Sequence, residues 1–246
     1  MTDSRPPQMP PQVRRFRSLE ELSQAAAEFV AELAVQSVAA RGVFTLALSG
    51  GGTPRPLYER LGRPPYVDRV PWKQTHLFWG DERWVPPGDA ESNFGMAAQA
   101  LLSRIEIPPG NVHRIPAELE PPEAAARTYE ETLRRFFGPA PAFDLNLLGM
   151  GPDGHTASLF PGAAALEERE RWVVAVPSAP LPPHLPRVSL TLPAINAARC
   201  VMFLVSGAAK RELVQRILDR PEEAARLYPA GRVHPSGRLF WFIGED

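Results

Sequence analysis

Phe143-Asp144-Leu145-Asn146-Leu147-Leu148-Gly149-Met150-Gly151-Pro152-Asp153-Gly154-His155-Thr156-Ala157-Ser158-Leu159-Phe160-Pro161 is the stretch around which the chain is read. Its first half alternates and then runs apolar, as a buried strand does, and it stops at Gly149. Glycines 149, 151 and 154 with Pro152 then make a tight, preset turn. In an open α/β sheet, ligands sit beyond the carboxyl ends of strands. The turn carries Asp153 and His155, one glycine apart. A carboxylate at that spacing can orient an imidazole and raise its basicity, as a general base working near neutral pH requires. A plainer role fits the same residues: Asp153 as an Asx-turn or helix N-cap, with Thr156 to Leu159 beginning that helix.

Upstream, Val43 to Leu48 reads as a second buried strand. It empties into Ser49-Gly50-Gly51-Gly52-Thr53-Pro54 before Leu57, Tyr58 and Leu61 resume helical spacing. Strand, glycine loop and helix together present bare backbone N–H groups and a positive helix end to an anion. The lysine of a nucleotide P-loop is missing, and Arg55 stands where a dinucleotide fingerprint wants glycine. A simple chain reversal is the alternative, but three consecutive glycines between Ser49 and Thr53 exceed what a turn requires, which favours a phosphate cradle. A third strand, Thr75 to Trp79, opens into Gly80-Asp81-Glu82-Arg83-Trp84, either a solvated charged loop or part of the same site. After an apolar strand from Cys200 to Val205, Lys210 falls in the first turn of a helix. A cation there opposes the macrodipole unless it and the helix end grip one anion together.

The remaining pattern fills in the architecture. Residues 1–12 read as a disordered tail and Val13 to Arg17 as an edge strand. Ser18 and Glu21 form a capping box for a helix that stops near Arg41-Gly42, and Ser92 caps a helix from Asn93. Asn111 to Ile115 is a short strand and Glu123 to Phe136 an amphipathic helix; Trp172–Val176, Arg187–Leu192 and Leu239–Ile243 are further strands. Strands alternating with helices, without linker or repeat, predict a single α/β domain over 13–246: one doubly wound, mostly parallel, Rossmann-like sheet with helices on both faces.

The bulk properties narrow the function. A formal charge of −1 over 246 residues gives no electrostatic reason to expect nucleic acid or an anionic membrane as partner. The single cysteine, Cys200, lies in an apolar run and reads as a core residue in a reducing compartment. With no leader signal and no apolar run near the ~20 residues of a membrane span, the expectation is a soluble, cytoplasmic protein. The 29 prolines cluster at segment joints and punctuate elements. The five histidines are scattered without metal-binding spacing, so no metal is expected. No Gly-x-Ser-x-Gly elbow occurs, and a phosphate would cover Ser49. A positioned base acting on water is what remains.

The blocks Leu48–Pro54, Trp79–Pro86, Glu91–Phe94 and Leu148–Pro161, continued by Arg187–Thr191 and Ser206–Lys210, resemble in order the signature blocks of the glucosamine-6-phosphate isomerase/6-phosphogluconolactonase family. The glycine loop is generic; the blocks around Asp153 and His155 and around Asp81 and Arg83 are specific. The resemblance implies hydrolysis of 6-phospho-D-glucono-1,5-lactone, in the oxidative pentose phosphate pathway, without metal or cofactor. His155 would take a proton from water and return it to the departing ring oxygen, with Asp153 holding it. Arg83, Arg187 and Lys210 would share the phosphate and the developing oxyanion, with no cation assigned to either task. Backbone N–H groups from Gly50, Gly51, Gly52 and Thr53 would complete the anion site. Ser49 and Thr53 could instead hold sugar hydroxyls, Asn93 would bind a hydroxyl, and Asp81 is either a catalytic or a structural partner. The expected partner is a small sugar phosphate, and the expected state a monomer or weak homo-oligomer. A glucosamine-6-phosphate deaminase would carry a carboxylate five residues after the histidine, where this chain has Phe160. A sugar-phosphate sensor would carry an added DNA-binding segment, for which there is neither spare length nor a basic patch.

Overall fold

The computed structural model describes residues 10–245. In chain order it contains β1 (Gln12–Phe16), α1 (Leu19–Arg41), β2 (Phe44–Leu48), α2 (Arg55–Leu61), α3 (Tyr66–Arg69), β3 (Thr75–Trp79), β4 (Asp81–Arg83), α4 (Asn93–Ala100), β5 (Val112–His113) and α5 (Pro122–Phe137). It continues with β6 (Leu145–Leu148), β7 (Val173–Val176), β8 (Arg187–Leu190), α6 (Leu192–Asn196), β9 (Cys200–Val205), α7 (Ala208–Asp219), α8 (Pro221–Leu227) and β10 (Arg238–Gly244). Seven strands form one sheet in the order β1-β10-β9-β6-β2-β3-β5, and every neighbouring pair is parallel. β2 and β9 are buried along their whole length, as strands covered on both faces must be. From β2 the chain builds outward to β3 and β5. It then returns to β6 on the other flank of β2, so the winding reverses between β2 and β6. That reversal leaves a crevice at the carboxyl ends of the two strands.

Local signals set the elements that frame this crevice. Ser18 Oγ accepts from the Glu21 amide at 3.1 Å, and Gly42 closes α1 at φ 75°, donating to Val38 O. The capping box is only half formed, because the Glu21 carboxylate accepts from the Arg17 amide and side chain. β6 is locked to β2 at its base by the buried Asp144. This carboxylate accepts from Thr45 N (2.9 Å), Thr45 Oγ1 (3.0 Å) and Arg41 Nη2 (2.7 Å), while the Asp144 amide donates back to Thr45 Oγ1. A one-residue slip between these strands would break every one of these bonds.

Three expectations are corrected. Asp81–Arg83 is a strand, and β4 pairs antiparallel with β8, which pairs antiparallel with β7; the three form a second, small sheet instead of extending the large one. Thr156–Leu159 is no helix but a turn closed by Leu159 N donating to Thr156 O at 2.9 Å. β1 begins at Gln12, inside the stretch expected as tail; Pro10 and Pro11 are exposed and irregular, and residues 1–9 of that expectation lie outside the described residues. Cys200 is buried, which pushes its thiol up to about 12. No helix among the described residues is long and apolar enough to cross a membrane.

Candidate active site

The crevice holds a cavity of about 250 Å³. Ser49, Gly50, Gly51, Gly52, Thr53, Asp81, Arg83, Asn93, His155, Arg187 and Lys210 all line it. They come from the ends of β2 and β6, from β4 and β8 of the small sheet, and from the first turns of α4 and α7. Asp153 alone of the expected residues is not on the wall; it stands behind His155.

His155 Nδ1 lies 2.6 Å from Asp153 Oδ1, and the same oxygen accepts the His155 amide at 3.1 Å. An ionised carboxylate only accepts, so in the neutral imidazole this bond selects the tautomer with the proton on Nδ1 and the lone pair on Nε2. The imidazole packs against the Phe160 ring, with centroids 4.6 Å apart. Gly151 makes the arrangement possible: a Cβ there would overlap imidazole Cε1 and Nδ1 and come within 2.9 Å of Asp153 Oδ1. Two residues beyond the imidazole, Ala157 takes φ 48°, a left-handed conformation that costs a non-glycine residue on the order of 1 kcal/mol and recurs at functional sites.

The adjacent residue explains how Asp81 is held. Ser158 Oγ donates to Asp81 Oδ2 at 2.7 Å, and the Ser158 amide donates to Ser189 Oγ of β8. Asn93 Nδ2 donates to Asp81 O at 3.0 Å, while Asn93 Oδ1 is buried without a partner and lies so close to Gly50 that any side chain on that glycine would collide with it. Glu82, next in sequence, belongs to the scaffold. Its buried carboxylate accepts from Arg83 N, Asn93 N, Phe94 N and Ser92 Oγ, so it caps α4 beside Ser92. Burial pushes this carboxyl up, and the amide donors hold it down in part.

Three cations line the same cavity: Arg83, Arg187 and Lys210. Arg83 and Arg187 face each other as register partners across β4 and β8. Arg83 Nη1 donates to Glu91 O, and its Nε is buried without a partner. Arg187 is buried and donates to Pro183 O and Leu185 O; burial, then the facing Arg83 charge, pushes its guanidinium down. Burial also lowers the Lys210 ammonium, in the first turn of α7. Among the described residues no carboxylate pairs with Arg187 or Lys210 within ion-pairing distance, so a bound anion would relieve both like-charge repulsion and desolvation. The glycine loop is tied across to the end of β9 by Thr53 Oγ1 and Ser206 Oγ, 3.0 Å apart.

Sequence reasoning missed Ser158, Ser189 and Ser206 as supports of the site. Ser158 was within reach, because a buried carboxylate such as Asp81 needs a donor and Ser158 lies in the same block as His155. Among the described residues no three His, Cys, Asp or Glu side chains gather as metal ligands would.

A parallel α/β sheet with a cation-lined crevice at its switch point and an Asp-held histidine beside it defines an enzyme acting on a small anionic substrate. The chain belongs to the family described as glucosamine-6-phosphate isomerases/6-phosphogluconolactonase, whose model matches residues 17–241. It is 42% identical over 242 residues to the 6-phosphogluconolactonase of Synechocystis sp., covering 97% of both chains. Among solved structures it is similar to the 6-phosphogluconolactonase of Thermotoga maritima (TM-score 0.82, 32% identity, 95% of this chain and 99% of that one). It is also similar to that of Trypanosoma brucei (TM-score 0.85, 29% identity, 95% and 96%).

Proposed function

We propose that this chain hydrolyses 6-phospho-D-glucono-1,5-lactone to 6-phospho-D-gluconate in the cytoplasm, with His155 as general base and without a metal. The observation that carries the reading is the Asp153–His155 pair at 2.6 Å, its Nε2 unencumbered, on a cavity also lined by Arg83, Arg187, Lys210 and the glycine loop. The names carried by the relatives support the substrate.

Nε2 accepts a proton from water as the oxygen attacks C1 of the ring ester. The carbonyl oxygen becomes an oxyanion, which the cationic wall stabilises. Collapse breaks the bond between C1 and the ring oxygen, and the imidazolium returns its proton to that leaving oxygen, so acid and base are one residue in succession. Asp153 fixes the tautomer and stabilises the transient cation. The phosphate, at the far end of the substrate, is held by glycine-loop amides and by those cations not engaged at C1. The ring-opening isomerisation of an amino sugar phosphate is disfavoured by Phe160, because an aromatic ring against the imidazole cannot carry a proton.

The test is the rate of opening of freshly generated lactone, corrected for spontaneous hydrolysis, beside ammonia release from glucosamine 6-phosphate. Acceleration of the first with none of the second is expected. Lactone opening at the spontaneous rate would overturn the reading.

A further inference from the structure

Beyond Leu48 the large sheet opens, and the backbone of the next residue loses its neighbouring strand. Ser49, which begins the glycine loop, has its N–H and C=O taken up by a side chain instead. The amide donates to Tyr58 Oη at 2.9 Å, and Tyr58 Oη donates to Ser49 O at 2.8 Å. A hydroxyl is the smallest group that can accept and donate at once, so one phenol closes both backbone valences. The same device recurs one strand away, where Trp79 N donates to Tyr129 Oη at 2.9 Å and Tyr129 Oη donates to Trp79 O at 3.0 Å. Both tyrosines are fully buried, and burial pushes both phenols above their usual range, which keeps the donating proton in place.

We propose that the Tyr58 hydroxyl is a positioning residue for the anion subsite: it fixes the direction in which the loop from Ser49 to Thr53 presents its amides. This rests on the assignment of the loop to the substrate phosphate made above. Gly50, Gly51 and Gly52 offer little resistance of their own to peptide rotation, so the geometry of the loop must be imposed at its ends: Thr53 is tied to Ser206, and Ser49 needs an anchor of its own. Tyr58 supplies that anchor from α2, on the far side of the loop it holds. Tyr129 anchors the strand leading to Asp81, which carries no phosphate-facing amides, and so serves as a matched comparison.

The experiment compares wild type, Tyr58→Phe and Tyr129→Phe, each of which keeps the ring and removes only the oxygen. Binding of 6-phosphogluconate and of gluconate is measured by calorimetry, with thermal midpoints alongside. Tyr58→Phe is expected to weaken 6-phosphogluconate about tenfold and leave gluconate unchanged, while Tyr129→Phe lowers the midpoint comparably without that selective loss. In lactone opening, KM for the phosphorylated substrate rises by the same factor and kcat moves less than about threefold. Equal, undiminished 6-phosphogluconate binding by Tyr58→Phe would overturn the clamp as a positioning device. Wild type binding gluconate as tightly as 6-phosphogluconate would instead overturn the phosphate assignment beneath it. Hydrogen exchange on the wild type is independent of how the variants fold. The Ser49 amide is expected to be protected in the free protein, and the Gly51 and Gly52 amides only with 6-phosphogluconate; a Ser49 amide exchanging as fast as Gly51 would refute the clamp.

Discussion

Gly151→Ala puts the catalytic geometry at risk while leaving the scaffold alone. The new methyl would occupy the space of imidazole Cε1 and Nδ1 and approach Asp153 Oδ1 to 2.9 Å, where ordinary contact begins at 3.4 Å. The backbone at Gly151 is not left-handed, so alanine is tolerated there and the strain falls on the side chains. To clear the methyl the ring must retreat by at least about 1 Å, and a displacement of that size at a reacting group costs about 10²-fold in rate. Substrate affinity is spared, because Arg83, Arg187 and Lys210 stand on other elements. Progress curves on freshly generated lactone should show kcat reduced about 10²-fold with KM within about threefold, and a thermal midpoint close to that of wild type. Full kcat in the variant, with its fold intact, would refute the claim that His155 must sit in the place made for it by Gly151.

Other outcomes follow from the same contacts. Gly50→Ala drives a methyl into Asn93 Oδ1 and should raise KM by about tenfold, read by steady-state kinetics; an unchanged KM would detach Asn93 from the substrate. Asp144→Ala leaves the Thr45 amide buried without its acceptor and Arg41 without its partner, and should destabilise the fold by on the order of 3 kcal/mol in urea melts. His113, stacked on Phe78 and 3.0 Å from His76, is pushed down to about 4 by burial and then by the His76 charge. The unfolded chain therefore binds this proton more readily than the fold does, so the contribution is fully present above pH ~6.5 and is lost as pH falls toward 4. Allowing for solvent screening, His113→Phe should remove on the order of 2 kcal/mol of that pH dependence, measured as the urea midpoint at pH 7 against pH 4.5.

Much of this architecture is legible in the chain because the signals are local. Ser18, Gly42 and Ser92 cap helices by interactions within a few residues, β9 announces itself as an unbroken apolar run, and β2 as a mostly apolar one broken only by Thr45. The pairing of Asp153 with His155 is likewise a two-residue matter. The small sheet was hidden for the opposite reason. β4 is three residues long and charged, too short for any periodicity, and its partner β8 begins more than a hundred residues later. Arg83 and Arg187 are already grouped as candidate anion holders in the sequence, but that they face each other across β4 and β8 depends on that register and emerges only with the fold. Glu82 is given no role in the sequence; the α4 amides make it a cap and leave Asp81 on the cavity wall. Tyr58 read as an ordinary apolar helix position, because the two backbone groups that need its hydroxyl are orphaned only by the opening of the sheet.

The central claim is that His155, held by Asp153, moves the proton in lactone opening, and His155→Asn tests it most directly. Asparagine keeps the polarity and most of the volume but cannot cycle a proton. The account predicts a kcat lower by about 10²–10⁴-fold, with 6-phosphogluconate binding unchanged. A kcat within twofold of wild type would contradict it.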